Sequence, residues 1–291
     1  MGTDQTPSRA SPGDDEGDWK DWLKDIVRRN HRRRIFGLLS SAAKTYLRAY
    51  HNEDHYRFAH NGELFVLETV ARLQGSAPLL ALDVGANAGT YTRQLLGVAP
   101  SAQVHCFEIA PEIFERLKVA LREFANAKLN PVGLSDREGT LDLTYVPGAP
   151  NISTVHEPLV ASCWGFAHQT VSVPVTTGDK YVRDLGVAHI DVLKIDTEGH
   201  ELSVLKGFAA TLEAGKVSLI QFEHGSVHIS SRTLLRDFYQ LLSPFSFAIG
   251  RLHPRCVDFK EYDHREDEQF RMGNYIAVQR SKPDWIAALQ N

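Results

Sequence analysis

From about residue 79 onward, short apolar runs alternate with amphipathic stretches, and this rhythm constrains the 291-residue chain more than any other feature. Runs at 79–83, 104–107, 128–134, 190–195 and 217–222 have the length and flanking turns of buried strands. Between them lie helical stripes; Ile113, Phe114, Leu117, Leu121 and Phe124 recur every three or four residues behind Pro111, a residue favoured at a helix start. Repeated strand–helix–strand units predict an α/β fold with a largely parallel sheet. Segments 140–146 and 171–175 predict two added strands, and 245–249 and 275–278 the last two. Segments 148–169 and 250–273 lack a clear period and predict loops.

Upstream the pattern differs. Residues 1–17 are rich in Gly, Pro, Ser, Asp and Thr, and predict a mobile tail. From Trp19 a helical stripe begins with Trp22, Leu23, Ile26 and Val27, and a second runs through Ile35, Leu38, Leu39, Ala42, Tyr46 and Leu47. The basic run from Arg28 to Arg34 between them is read as a solvated junction. These stripes carry more apolar surface than a free tail needs, so they are expected to cover the main domain or to pair with a second subunit. The net charge of −4 argues against a nucleic-acid partner. No apolar run approaches the ~20 residues needed to cross a bilayer, and no membrane partner is expected. The opening stretch has no secretory h-region, and Cys106, Cys163 and Cys256 form no CxxC pair, so a reducing cytoplasm is the expected setting. Despite thirteen histidines there is no HExxH or similar ligand spacing, and no metal is expected.

The ends of the predicted strands carry acids: Asp83, Glu108, Asp136, Asp196 and Glu223. In open α/β sheets, ligands bind beyond the carboxyl ends of the strands. One such acid is a helix cap; a row of them suits a ligand with cationic groups and hydroxyls. The glycine turn 85–89 lets the backbone approach a ligand closely, but Asn87 stands where a dinucleotide fingerprint needs its second glycine. A pyrophosphate would also be repelled by Asp83 and Asp196. This argues against a nicotinamide-dependent oxidoreductase, which stays as the competing enzyme class. S-adenosylmethionine, with an ammonium, a sulfonium and a ribose diol but no phosphate, suits the edge better. Glu108 can accept both ribose hydroxyls.

On these motifs the chain resembles FkbM-type, S-adenosylmethionine-dependent methyltransferases. The resemblance rests on LDVGANAGTYT (82–92), FE (107–108), GLSDREGT (133–140), DVLKIDTEGHELSVLKG (191–207) and FEHG (222–225), and spans about 61–278. It implies a Rossmann-like class I fold: a seven-stranded, mostly parallel sheet with an antiparallel last strand, here preceded by N-terminal helices. It implies that Asp83, Gly85, Asn87 and Gly89 surround the methionine end of the cofactor. Glu108 would hold the ribose, Ser135 and Asp136 would lie by the adenine, and Asp196 would face the methyl-bearing end. The domain division expected is a tail at 1–17, a helical segment at 18–60 and the methyltransferase domain at 61–291.

Methyl transfer to an alcohol needs the acceptor at attack distance and benefits from a base. His224, Glu198 and His200 follow the fifth and fourth strands and are the expected candidates, His224 first. His156, Cys163, Trp164 and His168 fall in the 148–169 insertion, where loops shape an acceptor pocket. The activity expected is O-methylation of a small-molecule hydroxyl, on a sugar or natural-product intermediate. An amine acceptor is the alternative, and a homo-oligomer through the N-terminal helices is the expected assembly.

Overall fold

The computed structural model describes residues 15–53, 57–147, 149, 153–156, 162–163 and 165–291. They divide between His51 and Asn52 into two compact units. Residues 1–14 of the expected tail lie outside the described residues, and the first helix already begins at Asp15. The first unit contains helices α1 (Asp15–Asn30) and α2 (Arg34–Tyr50).

The second unit opens with α3 (Glu63–Gln74) and alternates from there: β1 (Leu80–Val84), α4 (Thr90–Val98), β2 (Gln103–Phe107), α5 (Pro111–Ala120) and β3 (Ala127–Asn130). A short β4 (Gly133–Leu134), β5 (Gly139–Tyr145) and β6 (Gln169–Thr176) follow, then α6 (Gly178–Asp184), β7 (Ile190–Ile195), α7 (Glu201–Lys206) and α8 (Ala209–Glu213). The chain continues with β8 (Val217–His224), α9 (His228–Ser231), α10 (Leu235–Leu242), β9 (Phe247–His253) and β10 (Cys256–Phe259), and ends with α11 (His264–Asp267), β11 (Gly273–Gln279) and α12 (Pro283–Gln290).

The main sheet has the order β3-β2-β1-β7-β8-β11-β9-β10. The pairs from β3 through β8 are parallel, and β11 is antiparallel to both β8 and β9, as expected for the last strand. It has eight strands where seven were expected. The eighth forms inside 250–273, whose lack of a clear period predicts a loop: β9 runs on to His253 and pairs antiparallel with β10. Leu252 and Val257 point inward and are buried, while Arg251, His253 and Asp258 alternate with them, so the apolar signal is diluted. A Cβ at Gly250 would lie 2.5 Å from the Asp258 carbonyl, which makes glycine necessary at this close strand approach. Strands β4, β6 and β5 form a separate three-stranded sheet.

The period of two along each strand supplies both faces of the main sheet. Ala81, Val104, Val192 and Leu219 pack on one side with Val66, Leu67 and Leu95. Leu82, Phe107, Leu193 and Ile220 pack on the other with Val204, Phe208 and Phe238. Helices on both faces give the three-layer arrangement of a doubly wound α/β domain.

Candidate active site

A cavity of about 930 Å³ opens beyond the carboxyl ends of β1, β2, β7 and β8. It lies where the strand order reverses direction around β1, with β2 on one side and β7 on the other. Its size suits a drug-sized ligand together with part of a second one.

The turn after β1 forms one wall. Gly85, Asn87 and Gly89 all have positive φ (79°, 47° and 77°), and the N–H groups of Gly85 and Ala86 both donate to the Phe107 carbonyl. A Cβ on Gly85 would sit 1.8 Å from the Asp196 carbonyl oxygen, so the turn after β1 and the loop after β7 touch through that glycine. Glu108, at the end of β2, lines the cavity beside this turn. Its carboxylate accepts from the N–H of Asn87 (2.9 Å) and of Ala110 (2.8 Å). Burial raises its pKa, and those backbone donors pull it back.

Of the expected cofactor residues, Gly85, Asn87, Glu108 and Asp196 line the cavity. Asp83 does not; it is fully buried below the floor, where Oδ2 accepts from Thr92 Oγ1 at 2.7 Å and Oδ1 lies 3.4 Å from Lys194 Nζ. Gly89 is also set back, as the left-handed N-cap of α4 packed on Leu117 and Leu121. Ser135 is buried with its hydroxyl 2.9 Å from His200 Nε2, and Asp136 faces solvent beside Arg137. The β4 residues Gly133 and Leu134 line the cavity instead.

Strand alternation decides the catalytic candidates in the same way. Glu223, absent from the expected set, lines the cavity, and the favoured His224 does not. His224 shares the inner face of β8 with Phe222 and is 1% exposed, its ring packed near His228, Phe238, Phe270 and Tyr275. Burial, reinforced by His228, lowers its pKa to about 3, so it is a neutral core histidine. His200 does line the cavity, with Nδ1 3.3 Å from His156 Nε2. Burial, then His156, lowers it to about 4.

Glu198 also lines the cavity, and its φ of 53° turns the loop after β7 sharply. Glu201 holds that loop. Its buried carboxylate accepts from the N–H of Thr197 (2.6 Å) and Gly199 (3.0 Å) and lies 2.8 Å from His228 Nε2. One carboxylate oxygen each from Asp196, Glu198 and Glu223 falls within 4.8 Å of the others, a spacing that admits a cation. Burial, then the charge of Asp196, pushes both Glu198 and Glu223 well above the usual carboxylate range.

Under this ring lies Lys194, buried in β7 with Nζ 3.3 Å from Asp196 and 3.4 Å from Asp83. Burial alone would lower its pKa, but Asp196, Asp83 and Glu63 together raise it, so it stays protonated. The strand register sets Asp83 beside Lys194 and Lys194 beside Gln221, and Gln221 Nε2 donates to Glu63 Oε1 at 2.7 Å. A lysine inside a strand dominated by Ile, Val and Leu was the available signal for this network, because a buried ammonium requires partners. Of the inserted segment, Ser153, Thr154 and Val155 line the cavity, and Trp164 lies outside the described residues.

The neutral histidines carry a pH prediction. Both have folded pKa values below their ordinary value near 6.5, so the unfolded chain binds more protons. Their stabilising contribution is present above about pH 6.5 and is lost as the pH falls toward 4 and 3. The urea midpoint should therefore drop between pH 7.5 and 5.5, and less steeply in His224→Gln. An equal drop in that variant would assign the acid sensitivity elsewhere.

The strand order, the antiparallel β11, and a glycine turn facing acids at the ends of β2, β7 and β8 define a class I, S-adenosylmethionine-dependent methyltransferase. Residues 83–255 match the Methyltransferase FkbM domain, more than half of the chain, and the protein belongs to that family. It is 27% identical over 201 residues to the 2-O-methyltransferase NoeI of Sinorhizobium fredii, covering 66% of this chain and 81% of that one. It is 29% identical over 177 residues to the hexuronic acid methyltransferase AglP of Haloferax volcanii, covering 58% and 69%. Among solved structures, the precorrin-6y C5,15-methyltransferase of Geobacter metallireducens aligns with a TM-score of 0.40 and 12% identity over 74% of this chain and 88% of that one.

The residues present fit the cofactor chemically. A glycine turn that tolerates no Cβ, a partly satisfied carboxylate at the end of β2 and a ring of three carboxyls match a ligand with two cationic centres and a diol.

Proposed function

We propose that this enzyme methylates a hydroxyl group of a small molecule, a sugar or a natural-product intermediate. The observation that carries the reading is the pair Glu198 and Glu223, two cavity-lining carboxyls raised above their ordinary range beside Asp196. An alcohol is a weak nucleophile, and a base works best when its pKa lies near the working pH. A carboxyl raised by burial approaches that condition, whereas His200, lowered to about 4, is a weaker base. The names of the relatives support the same reading: one is a 2-O-methyltransferase and one acts on a hexuronic acid.

The cofactor supplies a methyl group on a sulfonium centre, ready for in-line displacement. Glu108 would accept the ribose hydroxyls, and the turn after β1 would hold the methionine end. Asp196, held by Lys194, would offset the charge of the sulfonium. Glu198 or Glu223 takes the acceptor's proton as the oxygen attacks. Neutral His200, whose two ring nitrogens are engaged by Ser135 and His156, forms part of the wall against which the acceptor is placed.

Two measurements test this. Acceptors are screened with S-adenosylmethionine carrying a ¹³C-methyl group, and the product shift separates O-methyl from N-methyl carbon. Turnover confined to amines overturns the hydroxyl reading. Separately, Glu108→Ala should weaken S-adenosylhomocysteine binding by about 1.5–3 kcal/mol, the range for hydrogen bonds to a charged group. Unchanged affinity by titration calorimetry in a folded variant removes Glu108 from the ribose.

A further inference from the structure

We propose that the α1–α2 unit is a peripheral membrane-docking element that binds anionic lipid headgroups. The charge distribution is the first observation. Between Asp25 and Glu53 the chain has seven Lys or Arg residues and no Asp or Glu. From a whole-chain net of −4, that leaves −11 for everything else. Five of the seven, Arg28, Arg29, Arg32, Arg33 and Arg34, are packed around the junction of the two helices. Arg28 and Arg29 lie on Asp25 at 3.3 and 3.5 Å, and α2 itself has no acid.

The second observation is the apolar face. On α2, Ile35, Leu38, Leu39, Ala42, Tyr46 and Tyr50 recur at three- and four-residue spacing, while Arg34, Ser41, Lys44 and Arg48 follow the opposite side. No residue of α2 is buried; Leu38 is 69% exposed and Tyr46 66%. On α1, Trp22 is 65% exposed and Trp19 56%. An amphipathic helix pair with a cationic side and a Trp-, Tyr- and Leu-bearing side is the form that lies in a membrane interface.

Charge complementarity selects the occupant. A second copy of this chain would bring a second set of the same seven cations, and its α2 would add no acid to meet them. A nucleic acid would satisfy the cations but leave the tryptophan and leucine stripe in water. An anionic bilayer meets both requirements, with headgroups for the arginines and the acyl boundary for the apolar face. No helix among the described residues is long and apolar enough to cross a membrane, so docking is at the surface. This departs from the expectation of no membrane partner, and it stands independently of the proposed acceptor.

The test is co-sedimentation of the full chain with vesicles. We expect binding to phosphatidylcholine vesicles containing about 30% phosphatidylserine, and at least ~10-fold weaker binding to phosphatidylcholine alone or in about 0.5 M salt. The triple change R32E/R33E/R34E should lower binding at least ~10-fold, and so should the apolar change W22S/L38S, with methyl transfer to a soluble acceptor unchanged in both. Absence of binding to the anionic vesicles overturns the proposal, as does equal binding by wild type and both variants. Loss with the charge change alone reduces the element to an electrostatic patch and overturns insertion of the apolar face. A dimer in sedimentation velocity that W22S/L38S abolishes, without vesicle binding by the wild type, assigns the face to a second copy instead.

Discussion

Replacing Glu198 or Glu223 by glutamine should lower turnover by roughly 10²–10⁴-fold for whichever is the base, the range for loss of a general base. The other variant should lose less, because it only shapes the field of its neighbour. The pH profile carries independent information. Both carboxyls are raised by burial and by Asp196, so at low pH they hold protons and cannot accept one. Turnover should therefore rise with pH as the pair ionises, and the glutamine variant of the true base should flatten that acid limb. Cofactor binding, read with S-adenosylhomocysteine, should fall far less than turnover. If both variants retain turnover within about twofold on the true acceptor, water carries the proton and catalysis rests on positioning. His224→Gln provides the contrast: its ring is buried away from the cavity, so it should change stability and leave the pH profile in place.

The second large effect is on stability. Lys194→Met removes the cation between two carboxylates, one of which, Asp83, is 0% exposed. Breaking one partner of a buried pair leaves a stranded charge and costs about 3–5 kcal/mol. For a unit of this size the melting temperature should fall by roughly 10 °C. Adding Asp83→Asn removes the stranded charge and should restore a large part of the loss, whereas independent sites would sum. A Lys194→Met protein with unaltered melting temperature would show that Asp83 is neutralised in another way.

The strand–helix alternation was readable because each buried strand is a compact apolar run closed by turn residues. The glycine turn after β1, the acid ending β2 and the acid following β7 were readable for the same reason. Gly85, Asn87, Glu108 and Asp196 do line the cavity. The β9–β10 hairpin was missed where polar residues alternate with Leu252 and Val257, since one apolar residue in two looks like loop when the segment is short.

The side on which each strand-end residue falls is another matter. Successive side chains point to opposite faces, so a shift of one position exchanges the cavity for the core. Glu223 and His224 are adjacent in the chain, yet one lines the cavity and the other sits among aromatic rings. Asp83 and Val84 divide in the same manner, Val84 reaching the cavity and Asp83 remaining below it. Lys194 finds Asp83 only because β7 pairs with β1 in that register, and Glu63 reaches Gln221 only because α3 packs over the same face. Local periodicity and turn chemistry are properties of neighbouring residues, so the chain alone announces strands, turns and their acidic ends. Charge pairing and the choice between cavity and core depend on which distant strand lies alongside, and that is settled when the sheet assembles.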